Sequence, residues 1–427
     1  MICSFVEFRP HGHGGQGPKL EVTKVSLFSV PSCRALIKNS LRHAEEYGQF
    51  VTSRGIRRFS CNLLPLCRQL RRQILAGIPT TKQAPQTWLR VRSACRSCGS
   101  SDLERFLNLG EVPLANSFLS PADSTEGELR VPLEVFFCGD CTLVQLCHVV
   151  SPEVLFSHYL YRTGTNTTIF EHNQRLAEKV TQSLGLTSQD LVLEVASNDG
   201  SLLSCFRQRG IRVLGVDPAR NIAELARLAG VETWPEFFDQ RVAERIGREV
   251  GPARVLIANN VLAHVDDTVG FLSACRSALA PNGFVVVEVP YLAEMLERLE
   301  YDTIYHEHLC YFSLTALVRL FERAGLHLHR VERIPIHGGS LRLWASAAQP
   351  DGKDDSVQML LTQERACGLD RLDPYLEFAY RVEQNRRHLT GLLADLKRQG
   401  RTVAAYGAPA KGTTLLSYCG LTTEQIP

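Results

Sequence analysis

The chain contains 427 residues, of which 44% are hydrophobic and 22% charged, and its formal net charge is +2; this length suffices for two or three domains with hydrophobic cores. The near-neutral charge gives no general attraction to nucleic acid or membrane surfaces, and no apolar run is long enough to span a bilayer. The first residues lack the basic and apolar regions of a secretory signal, so we expect a cytoplasmic protein without nucleic-acid or membrane partners.

Residues 1–90 are predicted to be a poorly ordered, basic extension. No Asp or Glu occurs between Glu46 and Asp102, and five arginines between Arg57 and Arg72 alternate with apolar residues. This pattern also fits a short basic amphipathic helix for a membrane surface, RNA or organelle targeting. We assign the extension no function.

Two Cys-x-x-Cys pairs follow, formed by Cys95 with Cys98 and by Cys138 with Cys141. Each pair can present two thiolates to one ion, and together they complete the tetrahedral coordination of a structural Zn²⁺ site. A dithiol redox site is the alternative, but it needs only one such pair. The sequence therefore predicts a zinc ribbon within a zinc-binding domain of residues 91–158.

Residues 159–347 alternate helical and strand-like segments, as in a doubly wound α/β sheet of the Rossmann-like type. A helix is predicted near 169–184, and a pair of strands near 327–336 and 340–347 ends the region. The remaining strands are predicted at 191–196, 212–216, 254–258 and 283–289.

The turn after the strand at 191–196 indicates a bound adenosine. The second strand ends in Asp217, whose carboxylate can accept both ribose hydroxyls. A dinucleotide fingerprint has glycines that allow close approach of a pyrophosphate, whereas this turn offers Ala196, Asn198 and Gly200. The negative charge nearby suits a ligand with a sulfonium and an amino group, so we predict S-adenosylmethionine (SAM). That charge comes from Glu194 and Asp199. The alternative is an ordinary strand-turn-helix with a solvated Asp217.

Polar residues also follow the strand at 254–258, where doubly wound folds bind ligands. We predict that Asn259 and Asn260 hold the methionine part of SAM or the substrate, and that His264 polarises a substrate oxygen. A helix N-cap and a surface histidine are the alternative interpretation.

The run Tyr305-His306-Glu307-His308 is predicted to carry out proton abstraction. Glu307 can orient an imidazole, which makes His308 or His306 a candidate general base, and Tyr305 can donate a hydrogen bond to an oxyanion. A zinc-protease motif needs histidine where Cys310 stands and is excluded. A purely structural network of histidines and tyrosines is the alternative.

The end of the chain is predicted to hold a helical connector, residues 348–400, and the start of a Rossmann-like unit, residues 401–427. The segment 402–412 reads as a strand, a turn and a helix start, and the sequence ends at Pro427 before a second strand. Because one βα unit cannot close its own sheet, we expect a truncated domain here.

In their order, these motifs resemble the SAM-dependent sugar C-methyltransferases that act on nucleotide-linked 4-keto-deoxysugars. The resemblance covers roughly residues 91–427. Besides the two cysteine pairs, it rests on segments 112–116, 159–163, 194–200, 259–264, 305–313 and 337–342.

The resemblance implies a zinc-binding domain, a central class I methyltransferase domain and a C-terminal Rossmann-like domain that helps to cover the substrate. In such enzymes a base removes the proton beside the ketone, and the enolate attacks the methyl group of SAM. Ala196 stands where the family usually has glycine, a change of one methyl group that the turn can tolerate if its φ stays negative. By position, His308 is the base, with Tyr305, Glu307 and His264 assisting and a tyrosine of the pair Tyr159 and Tyr161 near the sugar.

Two other functions stay open at this point. A small-molecule O- or N-methyltransferase would have no need of the His-Glu-His cluster. An inactive, truncated relative would bind SAM or a protein partner without turnover.

Overall fold

The computed structural model describes residues 88–117, 128–156, 164, 167–349, 354–407 and 410–426, and the backbone of residues 4–8 and 23–25. Tyr159, Tyr161 and nearly all of the predicted basic extension lie outside the described residues. The chain divides into two units, residues 1–24 with 89–427 and residues 25–88. The sites discussed below lie in the first unit.

The described strands are β1 (Ser4–Phe8), β2 (Thr23–Val25), β3 (Leu89–Val91), β4 (Leu103–Pro113), β5 (Arg130–Cys138), β6 (Val144–Leu146), β7 (His148–Val150), β8 (Leu191–Val195), β9 (Arg212–Val216), β10 (Thr233–Trp234), β11 (Ala253–Asn259), β12 (Leu279–Pro290), β13 (Cys310–Tyr311), β14 (His327–Ile334), β15 (Ser340–Ser346) and β16 (Thr402–Tyr406). The helices are α1 (Pro152–Phe156), α2 (Thr167–Leu184), α3 (Ser201–Arg207), α4 (Arg220–Leu228), α5 (Gln240–Glu249), α6 (Thr268–Ser277), α7 (Leu292–Arg298), α8 (Leu314–Arg323), α9 (Ser356–Ala366), α10 (Asp373–Arg398) and α11 (Ala410–Cys419). Among the described helices, none is long and apolar enough to cross a bilayer.

The central sheet has seven strands in the order β10-β9-β8-β11-β12-β15-β14. The first five run parallel, and β15 and β14 form an antiparallel pair at the edge. The inner strands are almost continuously apolar because helices cover both faces of such a sheet. Register places Glu194 beside Ile257, and Asn259 beside Glu288, at the carboxyl edge. The predicted doubly wound α/β sheet is confirmed.

A second sheet joins the cysteine-rich segment to the Tyr-His-Glu-His run. Its four antiparallel strands are ordered β13-β6-β5-β4. The strand β13 begins two residues after His308. The segment that directly follows the predicted catalytic run therefore completes the sheet of the predicted zinc ribbon. The two regions therefore share one sheet, which a local reading of the sequence did not indicate.

The C-terminal strand β16 belongs to a separate sheet, and the truncated Rossmann-like unit expected over residues 401–427 stays a prediction. Strand β16 pairs antiparallel with β1, from Ser4 beside Tyr406 to Phe8 beside Thr402, and β2 completes a three-stranded sheet. Residues 4–8 and 23–25, expected to be poorly ordered, are thus strands in the structure. The pairing partner comes from the other end of the chain, where no local sequence pattern could identify it.

Candidate functional site

A cavity of about 1410 Å³ lies at the carboxyl edge of the central sheet. The ends of β8, β9, β11 and β12 line it, together with the loops that follow them. Of the predicted site residues that the structure describes in this region, Asp199, Gly200, His306 and Glu307 do not line the cavity. The predicted site residues that line it are Glu194, Ala196, Asn198, Asp217, Asn259, Asn260, His264, Tyr305 and His308.

The turn after β8 is tighter than the sequence suggested. Ala196, Asn198 and Gly200 have φ values of 57°, 50° and 72°, all in the left-handed region. The condition of a negative φ at Ala196 is therefore not met, because the chain must reverse within a few residues between β8 and α3. An L-residue with a Cβ atom loses roughly 1–2 kcal/mol in this conformation, whereas asparagine and glycine adopt it more readily. A Cβ on Gly200 would also lie 3.0 Å from Cβ of Val231.

Glu194 is a fully buried carboxylate at the cavity. Burial, and next the charge of Asp217, raise the pKa of Glu194 well above its usual value. Its Oε2 atom has no hydrogen-bond partner within the described part of the chain, and the same holds for Oδ1 of Asn259. Buried polar atoms are rarely left unpaired. Both acceptors fit a ligand that carries a cationic sulfonium and an amino group.

The other two carboxylates of this region are held by backbone amides. Asp217 accepts hydrogen bonds from the amides of Asn198 and Ala219, both at 2.9 Å, and burial raises the pKa of Asp217. Asp199 accepts from the amide of Gly164 at 2.9 Å, which ties the turn to the segment before α2. Asp217 thus lies in the cavity wall, whereas Asp199 supports the turn from outside.

His308 is fixed at both ring nitrogens. Nδ1 lies 2.9 Å from the carbonyl oxygen of Thr303, and Nε2 lies 3.0 Å from the hydroxyl of Tyr305. The carbonyl can only accept, so Nδ1 carries the proton and Nε2 is the basic nitrogen. Burial lowers the pKa of His308 to about 3, which keeps the ring neutral.

The ring of His264 packs edge-on against His308, with centroids 4.9 Å apart. Burial lowers the pKa of His264 to about 4. Its Nδ1 atom is buried and has no hydrogen-bond partner among the described residues. His264 therefore adds a second neutral imidazole to the cavity wall rather than lying on the surface.

Glu307 and His306 have different surroundings from those expected. Oε1 of Glu307 accepts a hydrogen bond from the side-chain amide of Asn116 at 2.5 Å, and a backbone carbonyl, not this carboxylate, fixes Nδ1 of His308. Nε2 of His306 lies 3.1 Å from the carbonyl oxygen of Val131 on β5, and burial lowers the pKa of His306 to about 4. Of the two histidines, only His308 lines the cavity.

Sequence reasoning missed a buried ion-pair cluster beside the turn between β8 and α3. Glu288, at the end of β12, lies 2.8 Å from Nε2 of His172 and accepts from Nε of Arg342 at 2.7 Å. Burial acts to raise the pKa of Glu288, but the hydrogen bond with His172 and next the charge of Arg342 outweigh it and lower this pKa. A charged residue ending the apolar run 285–287 was the available signal.

The four cysteines of the two pairs come together. Their Sγ atoms lie within 4.8 Å of one another; Cys95 and Cys141 are 3.4 Å apart, and Cys98 and Cys138 are 3.6 Å apart. With Zn–S bonds of about 2.3 Å, the edge of a tetrahedral site is about 3.8 Å. Nε2 of Gln145 lies 3.1 Å from Sγ of Cys95, as a hydrogen bond to a metal-bound thiolate would. The donor set fits Zn²⁺.

Three family profiles match consecutive parts of the chain. Residues 95–156 match one described as "Putative zinc binding domain", residues 169–331 a methyltransferase domain, and residues 335–427 a C-methyltransferase C-terminal domain. The C-methyltransferase NovU of Streptomyces niveus is 41% identical over 342 residues, which are 80% of this chain and 81% of that protein. The chain belongs to this family of C-methyltransferases.

Other methyltransferases are more distantly similar to this C-methyltransferase. The ubiquinone biosynthesis O-methyltransferase of Leptothrix cholodnii is 26% identical over 43% of this chain and 80% of that protein. The solved structure of CalO1, a methyltransferase in calicheamicin biosynthesis, has a TM-score of 0.34 at 20% identity, over 43% of this chain and 56% of that chain. The predicted class I methyltransferase fold with a zinc-binding domain, and the SAM-dependent activity, are confirmed.

Proposed function

We propose that this C-methyltransferase methylates a carbon beside the ketone of a nucleotide-linked keto-deoxysugar through an enolate. The observation that carries the proposal is the neutral imidazole of His308, anchored at Nδ1 by Thr303 and facing the Tyr305 hydroxyl with Nε2. Carbon has no lone pair to attack with, so transfer to carbon needs a base that first creates a carbanion. Transfer to oxygen or nitrogen has no such requirement.

The side chains at the carboxyl ends of β8, β9 and β11 would hold the cofactor. We assign Glu194 and Asn259 to the cationic, methionine-derived part, because each has a buried acceptor atom without a hydrogen-bond partner among the residues that the structure describes. Asp217 lies at the end of the second parallel strand, where a carboxylate suits the ribose hydroxyls. SAM, when bound, supplies an electrophilic methyl group. Ala196, Asn198, Gly200 and Asn260 give the backbone its tight turns, and Asp199 supports the first of them.

The substrate would be deprotonated by His308. Nε2 takes the proton from the carbon, and the electron pair of the broken C–H bond moves to the ketone oxygen. The Tyr305 hydroxyl turns from Nε2 to that oxygen, which frees the base and stabilises the enolate. His264 offers its unpaired Nδ1 to a substrate group. The contact of Tyr159 or Tyr161 with the sugar stays a prediction.

Solvent exchange of the substrate's carbon-bound proton tests the proposal directly. The protein is incubated in deuterated water with a panel of nucleotide-linked 4-keto-6-deoxyhexoses, without SAM and then with it. We expect deuterium beside the ketone in the first case and a mass gain of one methylene group in the second. His308→Ala should abolish both, whereas His388→Ala, an exposed site on α10, should change neither.

The possible outcomes separate the competing functions. Methyl transfer without exchange, and without sensitivity to His308→Ala, would instead support an O- or N-methyltransferase. Neither transfer nor exchange across the whole panel would contradict the proposed substrate class.

A further inference from the structure

Arg96 lies between the zinc-ligand candidates Cys95 and Cys98, and its side chain is completely buried. Arginine is seldom buried unless its charge and its donors are paired, since removing an unpaired guanidinium from water is unfavourable. The partners of Arg96 therefore show what this buried charge contributes.

The guanidinium of Arg96 reaches from the cysteine cluster to the loop of the proposed base. Nη1 donates to the carbonyl oxygen of Leu309, the residue directly after His308, and lies 3.7 Å from Sγ of Cys310. Nη2 donates to the carbonyl oxygen of Leu146 on β6 at 2.7 Å. One planar side chain thus bridges β6 and the His308 loop.

The same guanidinium also reaches the loop of His264. Nη2 of Arg96 lies 3.5 Å from Oδ1 of Asp266, two residues after His264. The Leu309 amide in turn donates to the carbonyl oxygen of Ala263 at 2.7 Å. Arg96 and this backbone bond hold together the two loops whose histidine rings meet at 4.9 Å.

The backbone of Arg96 is itself fixed beside the cysteine cluster. Its amide donates to Oε1 of Gln145 at 3.1 Å, and the other end of the same Gln145 amide lies 3.1 Å from Sγ of Cys95. The hydroxyl of Thr268 donates to the Arg96 carbonyl oxygen at 3.4 Å. The position of the guanidinium therefore depends on the geometry of the cysteine cluster.

From these contacts we infer that Arg96 is a positioning residue, which transmits the geometry of the zinc site to the His308 and His264 loops. The inference rests on the proposed role of His308 as base. Arg96 lines no part of the cavity, so it acts only through the residues that it contacts: the carbonyl groups of Leu146 and Leu309 and the side chains of Asp266 and Cys310. A small displacement of a reacting group lowers the rate by roughly 100-fold, so loss of this bridge should slow proton abstraction.

Two variants of the full-length, zinc-loaded protein test the inference. Arg96→Gln removes the charge and the fork of donors. Arg96→Lys keeps the charge for Asp266 but replaces the planar fork of donors by a single ammonium group, which does not reproduce the geometry of the fork. We expect the glutamine variant to lose about 10- to 100-fold in deuterium exchange and in kcat. The lysine variant should regain part of this loss, and KM should change little in either.

Three further measurements separate positioning from a general structural role. Zinc content per chain and the Kd for SAM should match the unsubstituted protein. The NMR resonance of the His308 ring is assigned by its disappearance in His308→Ala. In Arg96→Gln this resonance should shift. Arg105→Gln is the matched control, because Arg105 belongs to the same lobe but makes an exposed ion pair with Glu134.

The outcomes are distinguishable from failure of the proposed function. If the unsubstituted protein shows no exchange, the base assignment fails, yet the shift of the His308 resonance still reports on the bridge. Unchanged exchange and an unchanged resonance in Arg96→Gln would overturn the inference. Loss of zinc or of SAM binding in both variants would also overturn it, since Arg96 would then serve the fold as a whole.

Discussion

The hydroxyl of Tyr305 lies 3.0 Å from Nε2 of His308, and the two rings are 4.1 Å apart between centroids. The opposite ring nitrogen is held by the Thr303 carbonyl. Because both nitrogens are bonded, the orientation and tautomer of the imidazole are fixed before any substrate enters. The proposed base and the proposed oxyanion donor thus occupy adjacent positions on one wall of the cavity.

Tyr305→Phe should remove the oxyanion donor and keep the ring packing. We expect kcat for methyl transfer and the rate of deuterium exchange to fall by about 100- to 1000-fold, the usual effect of losing one such donor. The Kd for SAM should not change, because the residues assigned to the cofactor lie at the ends of β8, β9 and β11, away from Tyr305 in the sequence. Exchange measured by mass spectrometry checks this, with the exposed Tyr380→Phe as control. Full exchange in Tyr305→Phe would contradict the assignment.

The acid limb of the rate profile should lie at unusually low pH. Burial lowers the pKa of His308 to about 3, so the ring stays neutral while an ordinary histidine would become protonated as pH falls through about 6.5. Since kcat/KM reports the free enzyme, it should show no loss with a midpoint near 6.5. Measurement of kcat/KM between pH 5 and 8 in one buffer system checks this. A limb centred near pH 6.5 would show that the base is solvated.

The strands of the donor site and the two cysteine pairs could be predicted because each depends on local sequence. A short run of mainly apolar residues that ends in a turn, as in Leu191–Val195 with its single acid Glu194, indicates a buried strand. The partner of His308 could not be predicted, since any carbonyl can replace the Glu307 carboxylate and only the path of the chain selects Thr303. For the same reason, the pairing of β13 with β6 and the positive φ of Ala196 appear only in the folded chain.

Ala196→Gly should stabilise the protein. Ala196 has φ of 57°, a conformation that costs a residue with a Cβ atom roughly 1–2 kcal/mol. Glycine removes this cost, but its greater freedom in the unfolded chain lowers the stability by about 0.4–1 kcal/mol. We therefore expect a net gain of up to about 1.6 kcal/mol in the free energy of unfolding. Urea unfolding of the zinc-loaded protein measures it. Ala229→Gly, at φ of −77°, is the control and should destabilise.

Removal of zinc should expose thiols and slow catalysis together. Protein purified without chelators should contain one zinc per chain, and a strong chelator should make all four site thiols reactive toward a thiol reagent. Without the metal, the four cysteines take up protons and lose the ion that holds them together, so the segment around Arg96 should loosen. We expect methyl transfer to fall and to recover when zinc is restored. Protein with no zinc and four freely reactive thiols would contradict the metal site.

Binding of SAM should release protons through Glu194. Burial and the charge of Asp217 raise the pKa of Glu194 in the free protein, so below that pKa the carboxyl is protonated. A cationic ligand nearby stabilises the carboxylate and lowers its pKa, which releases the proton on binding. The affinity for SAM should therefore rise with pH until the pKa of the free protein is passed. Glu194→Gln should bind more weakly and without this pH dependence.

Calorimetry in two buffers with different ionisation enthalpies counts the released protons. S-adenosylhomocysteine is the matched ligand, because it has the same adenosine and amino acid parts but no sulfonium charge. It should release fewer protons than SAM in the unsubstituted protein, since only the amino group then stabilises the Glu194 carboxylate. Equal release for both ligands would place the sulfonium away from Glu194. Absence of release for either ligand would mean that the carboxylate is already ionised or lies outside the cofactor site.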